Sequence, residues 1–75
     1  MELGFGERLR LLREERGLTQ GALGAATHMT QRKISYIECG RFEPSVGDIT
    51  ALCRYFNVSA DYFLNLPPQL PYPKR

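Results

Sequence analysis

Apolar residues recur at intervals of three and four through much of the chain, the spacing of amphipathic helices. In FGERLRLLREERG, Phe5, Leu9 and Leu12 share one stripe, Arg and Glu fill the opposite face, and Gly17 offers a left-handed stop. This predicts a helix over residues 5 to 16, with Leu11 off the stripe and at the surface. Thr19 is a good N-cap, and QGALGAAT after it carries Leu23 and Ala26 inward. A short second helix is therefore expected to end near Thr27, with His28 in the turn. Gly24 costs that helix about 1 kcal/mol of propensity against Ala, which implies that another helix crosses closely there.

Thr30 can cap a third helix running through about Cys39, with Gly40 ending it. KISYI also reads as a strand, because its β-branched and aromatic residues alternate with polar ones. The cap, the Ile34–Ile37 pair three apart and the terminal glycine favour the helix. After the loop GRFEPS, Ser45 with Asp48 three residues on forms a capping box in which Asp replaces the usual Glu. The fourth helix then carries Val46, Ile49, Leu52, Cys53 and Phe56 on one stripe and ends at Asn57, which tolerates the left-handed conformation. Ser59 caps a last short helix, ADYFLN, whose Phe63 points inward. From Leu66 the composition changes to LPPQLPYPKR, whose prolines forbid regular helix and favour an extended tail. The expected fold is all-α: a compact five-helix bundle over residues 1–65, followed by a Pro-rich tail over residues 66–75. Its second and third helices are joined by a tight turn, as in a helix-turn-helix.

A chain of 75 residues fits one domain, and a domain this small buries only about 60% of the surface its unfolded chain exposes. That leaves little room for an enzyme pocket. The formal charge of +2 is unevenly placed. Residues 1–16 hold four Arg against four Glu, and residues 43–75 hold three bases against three acids. Residues 17–42 hold Arg32, Lys33 and Arg41 against Glu38, so the whole excess surrounds the third helix, as contact with a polyanion requires.

Other function classes find little support. The chain has one His, no H-x-x-x-H, no nucleophile elbow and no Gly-rich phosphate loop, which argues against an enzyme. No cofactor, metal site or small-molecule ligand is expected. Cys39 and Cys53 suit neither a zinc site nor a disulfide framework and read as reduced thiols, Cys53 being an inert residue of a buried stripe. MELGFGERLR lacks the apolar run of a signal peptide, and no stretch approaches the roughly 18 apolar residues of a membrane span, so a cytoplasmic protein is expected.

The third helix carries the candidate chemistry. Opposite Ile34 and Ile37 lie Gln31, Arg32, Ser35 and Tyr36, all hydrogen-bonding side chains where a merely solvated face would mix Glu with Lys.

Three stretches, GERLRLLREERGLTQ, ISYIECGRFEPS and ALCRYFNVSADYFL, resemble the Cro/C1-type helix-turn-helix family, also called Xre-like regulators. The likeness covers residues 5 to 65. It rests on the Leu-Thr-Gln start of the second helix, the I-x-x-I-E-x-G end of the third, the Pro-Ser start of the fourth and the V-S-x-D start of the fifth. It implies a lambda-repressor-like bundle that binds double-stranded operator DNA, usually as a homodimer. Carried onto matching positions, Gln20 would bind a backbone phosphate and support the following helix. Gln31 and Arg32 would reach base edges in the major groove, and Ser35 and Tyr36 would touch bases or phosphates one turn later. Arg13 and Glu38 would form a structural ion pair, and Tyr62, Leu64 and Leu66, with the tail, would serve dimerisation.

Side-chain chemistry agrees independently. A Gln amide pairs with adenine N6 and N7, and Arg donates twice to guanine O6 and N7. Thr30, Lys33 and Arg41 suit phosphates, which position a protein without reading sequence. The chain departs from the family at His28, where a turn Gly is usual, at Gly24, where Ala is usual, and at Gly21 and Ala22, where acids are common. His enters the left-handed region more readily than bulkier residues, so a turn role is expected for His28 ahead of a DNA contact. The leading expectation is a sequence-specific transcriptional regulator, a repressor acting by occupation of a palindromic operator. The competing one is a protein-interaction bundle of the same fold, antitoxin-like or sigma-binding. No effector domain is expected after residue 65, and the sequence chooses neither an inducing signal nor an operator.

Overall fold

A computed structural model describes residues 4–64. Five helices follow one another: α1 (Phe5–Glu15), α2 (Gln20–Ala26), α3 (Gln31–Glu38), α4 (Val46–Phe56) and α5 (Ala60–Leu64). The described residues contain no strand, so KISYI lies within α3.

The first four helices share one way of ending. A residue just past each helix takes a left-handed conformation, Gly17 at φ 68°, His28 at φ 60°, Gly40 at φ 79° and Asn57 at φ 58°. The next backbone N–H then reaches back five residues. Leu18 donates to Arg13 O at 3.1 Å, Met29 to Gly24 O at 2.7 Å, Arg41 to Tyr36 O at 2.8 Å and Val58 to Cys53 O at 3.1 Å. These bonds satisfy carbonyls that a helix end would otherwise leave without partners, and each turns the chain sharply enough to start the next helix.

Side-chain caps open three helices. Thr19 accepts from Ala22 N–H at 3.0 Å and Thr30 from Lys33 N–H at 3.0 Å. Ser45 and Asp48 complete the expected reciprocal box, at 3.1 Å and 3.0 Å. At α1 the Gly4 N–H donates to Glu7 Oε1 at 3.2 Å, a closure the apolar spacing did not reveal.

The core gathers Leu9, Leu12, Leu23, Ile34, Ile37, Leu52, Phe56 and Phe63, with Phe5 stacked on Phe63 at 4.9 Å between ring centroids. Two inward assignments change, at Ala26 and Val46. Ala26 is exposed, and Thr27 is buried in its place because α2 turns its i, i+4 pair, Leu23 and Thr27, to the core. The Thr27 hydroxyl is satisfied there, donating to Leu23 O at 2.8 Å. Val46 is 81% exposed, since it occupies the first turn of α4, before the helix reaches the core. Gly24 does sit at a close approach, but to backbone leading into α3 rather than to a crossing helix. A Cβ there would lie 2.6 Å from Met29 O and 3.1 Å from Thr30 C. Gly6 has a matching role at the other end of α3, where an added Cβ would run into the carbonyl oxygen of Ile37. Glycines thus let backbone close on both ends of one short helix.

The Pro-rich tail over residues 66–75 lies outside the described residues, as does Leu66.

Candidate functional site

The apolar face of α3 is fully committed. Ile34 has no exposure and Ile37 only 2%, and both sit in the core. Because consecutive helical residues are turned by about 100°, that commitment fixes where the polar residues point. Gln31 and Arg32 are exposed, Ser35 is half-buried and Tyr36 is 39% exposed. Together with Gln20 from the first turn of α2, these four line one shallow depression of about 460 Å³. Two amides, a guanidinium, a hydroxyl and a phenol thus face outward from adjacent helices.

Behind that surface lies a buried charged joint. Glu38, 7% exposed, closes α3 and receives Arg13 of α1 through two nitrogens, Nε to Oε2 at 2.6 Å and Nη2 to Oε1 at 3.1 Å. Arg13 Nη1 also donates to Leu18 O at 2.8 Å, fastening the loop before α2. The hydrogen bond that Arg13 donates to Glu38 raises the Arg13 pKa above its ordinary value, against the opposing effect of burial. Gln20 joins the same carboxylate, its Nε2 donating to Glu38 Oε1 at 3.1 Å. A carboxylate only accepts, so the contact fixes which end of the Gln20 amide faces inward. One N–H of that nitrogen is used by this bond. Gln20 is therefore a joint between α2 and α3 as well as a surface residue; the resemblance implied support for the following helix but did not name Glu38 as the partner.

The residues expected on phosphates divide. Thr30 and Arg41 are exposed at the two ends of α3, although the Thr30 Oγ already caps the helix. Lys33 is held elsewhere. Its Nζ lies 3.0 Å from Asp48 Oδ1 and 5.3 Å from the centre of the Phe42 ring. The sequence assigned Asp48 only a capping role, so the ion pair across the α3–α4 loop was not visible in it. Burial raises the Asp48 pKa, but the Ser45 N–H and Lys33 outweigh it, and the net shift is downward.

At the far end of the chain, Tyr62 is 37% and Leu64 44% exposed. Leu64 also borders a larger groove of about 730 Å³ walled by Phe5, Ile37, Phe42 and Ile49. That groove contains none of the five polar side chains of the α2–α3 depression. Cys39 is exposed and Cys53 half-buried, and burial pushes the Cys53 thiol up from its ordinary pKa. Among the described residues no group of His, Cys, Asp or Glu could hold a metal ion, and no helix is long and apolar enough to cross a membrane.

A short helix seated by its apolar side against its neighbours, led in by a capped helix and a left-handed turn, is a helix-turn-helix unit. A family model described as "Helix-turn-helix domain" matches residues 5–63, and the chain belongs to that family of transcription regulators, in its Cro/C1-type form. Over 58 residues it is 40% identical to the HTH-type transcriptional regulator PrpR of Mycobacterium tuberculosis, a match covering 77% of this chain and 12% of that protein. The chain thus spans only a small part of that relative's length. Its fold is similar to that of the P22 c2 repressor solved in complex with a synthetic operator, with a TM-score of 0.80 and 32% identity over 84% of this chain and 96% of that one. It is also similar to the restriction-modification controller protein C.AhdI of Aeromonas hydrophila, with a TM-score of 0.75 and 27% identity over 80% and 91% of the two chains.

Proposed function

We propose that this chain binds double-stranded DNA in a sequence-specific manner, with α3 in the major groove, and represses transcription by occupying an operator. The observation that carries the reading is the division of α3 itself. Ile34 and Ile37 are sealed in the core while Gln31, Arg32, Ser35 and Tyr36 face outward beside Gln20. Gln31 and Arg32 stand in the first turn, where a helix entering a major groove brings its N-terminal residues to the bases. Their amide and guanidinium match the edges of adenine and guanine, and Ser35 and Tyr36 follow one turn later. Gln20, Thr30 and Arg41 flank the helix and meet phosphates, which set its register. The operator complex of the P22 c2 repressor, a structural relative, supports the same use of the fold here.

The binding species is a homodimer joined through Tyr62 and Leu64, the apolar side chains that α5 leaves exposed, with Leu66 following them in the chain. Two copies related by a two-fold axis would place their α3 helices about 34 Å apart, in successive major grooves, and so call for a palindromic operator. Selection from a random-sequence duplex library tests the reading. A motif with two inverted half-sites about one helical turn apart is expected. Binding that is salt-sensitive but selects no motif would instead favour a protein-docking role for this face.

A further inference from the structure

The sequence puts three cations on or beside α3: Arg32, Lys33 and Arg41. Arg32 and Arg41 are exposed, whereas the half-buried Lys33 ammonium is held against Asp48. One side of it is the Asp48 carboxylate, 3.0 Å from Nζ, and the Phe42 ring lies 5.3 Å away. The lysine side chain keeps 33% of its exposure and the aspartate 13%. Asp48 has little freedom to follow a departing lysine, because its other oxygen accepts the Ser45 N–H at 3.0 Å and its own N–H bonds Ser45 Oγ at 3.1 Å. The clasp also answers a local electrostatic problem. Lys33 stands in the first turn of α3, where the helix dipole disfavours a cation, and Asp48 stands in the first turn of α4, where a carboxylate is favoured.

We propose that Asp48, with Phe42, sets the overall strength and salt dependence of DNA binding by withholding the Lys33 charge from DNA phosphates. The proposal rests on the DNA-binding reading and deepens it. A lysine on a phosphate strengthens binding to every sequence alike and adds about 0.9 to the slope of log affinity against log salt. Base contacts by Gln31 and Arg32 strengthen binding to some sequences only. Sequestering one cation beside the reading residues therefore lowers the uniform part of the affinity and leaves the selective part intact. Asp48 acts here as a positioning residue: it touches Lys33 and not the nucleic acid.

The test is a double-mutant cycle read as a salt slope. Affinity for a duplex of scrambled sequence is measured across a range of salt for the native chain, Asp48→Asn, Lys33→Gln and the double variant. Asn at position 48 keeps an acceptor for the Ser45 N–H, and amide spectra of each variant establish that the fold is retained. Asp61→Asn, on the exposed side of α5, controls for the change in net charge. The expected result is a slope steeper by about 0.9 for Asp48→Asn, with affinity changing roughly 3.5-fold more between 50 and 200 mM salt than in the native chain. Lys33→Gln alone should leave the native slope unchanged, and the double variant should return to it. A slope for Asp48→Asn equal to that of Asp61→Asn overturns the proposal. So does a fall of about 0.9 for Lys33→Gln alone, because Lys33 would then already sit on a phosphate. Failure of the native chain to bind any duplex would remove the DNA-binding reading together with this one, an outcome distinct from binding with unaltered slopes.

Discussion

The Arg13 guanidinium grips Glu38 through two nitrogens, at 2.6 Å and 3.1 Å, so the last turn of α1 holds the last residue of α3. Both side chains are nearly out of solvent, 12% and 4% exposed. The pair thus fixes the far end of the helix whose near end carries Gln31 and Arg32. Its contribution is one of placement, since exchanging a buried pair for apolar side chains of similar size is often neutral for stability.

Removing one partner is a different matter. Glu38→Ala leaves the Arg13 charge stranded and also strips Gln20 of its acceptor, so a loss of about 3 kcal/mol is expected in urea denaturation. The double variant Arg13→Met with Glu38→Leu should recover much of it. A single variant as stable as the native chain would mean that water already satisfies Arg13.

Glycines separate by what surrounds them. Gly6→Ala drives a methyl group into the Ile37 carbonyl and should destabilise by about 2 kcal/mol. Gly21→Ala, in exposed α2 with nothing nearer than the Thr19 hydroxyl at 4.0 Å, should stabilise by about 0.5 to 1 kcal/mol. Thermal melts of the two variants should move in opposite directions.

His28 takes a left-handed conformation at φ 60°, which costs a side chain with a Cβ about 1 kcal/mol and costs glycine almost nothing. His28→Gly should therefore raise stability by a fraction of that amount, offset by the greater freedom of glycine in the unfolded chain. A lower melting temperature for this variant would show that the imidazole makes a compensating contact.

Asp48 has a folded pKa below its unfolded value of about 3.9. Its contribution to stability is complete above that unfolded value and is lost as pH falls through the folded one. The stability advantage of the native chain over Asp48→Asn, measured in urea, should be constant near neutrality and shrink below about pH 4. An advantage that grows on acidification would contradict the downward shift.

Leu64, 44% exposed at the end of α5, is proposed to join two copies. Leu64→Asp should convert a dimer to a monomer in sedimentation without reducing helix content. An unchanged sedimentation profile would remove Leu64 from the interface.

Much of this structure was legible because its signals are local. Caps at Thr19, Thr30 and Ser45, and left-handed stops at Gly17, Gly40 and Asn57, lie within four residues of the helices they bound. The outward face of α3 could also be read, because Ile34 and Ile37 three apart leave only one side for Gln31, Arg32, Ser35 and Tyr36. What escaped depends on distant partners. The Lys33–Asp48 bridge joins residues fifteen apart, and the Gln20–Glu38 bond residues eighteen apart. Neither follows from helical spacing, which is silent on how two helices meet. Val46 failed for a related reason: periodicity gives the face of a helix but not where along its length the core begins.

On the proposed reading, the outward face of α3 reads bases. That claim is tested most directly by the affinity of Gln31→Ala and Arg32→Ala for the selected duplex and for a scrambled one at the same salt. Each substitution should cost about 1 to 3 kcal/mol on the selected site. On the scrambled duplex Gln31→Ala should cost almost nothing, and Arg32→Ala no more than one lost phosphate attraction. Equal losses on both duplexes would contradict the claim and leave α3 as a charged surface without a readout.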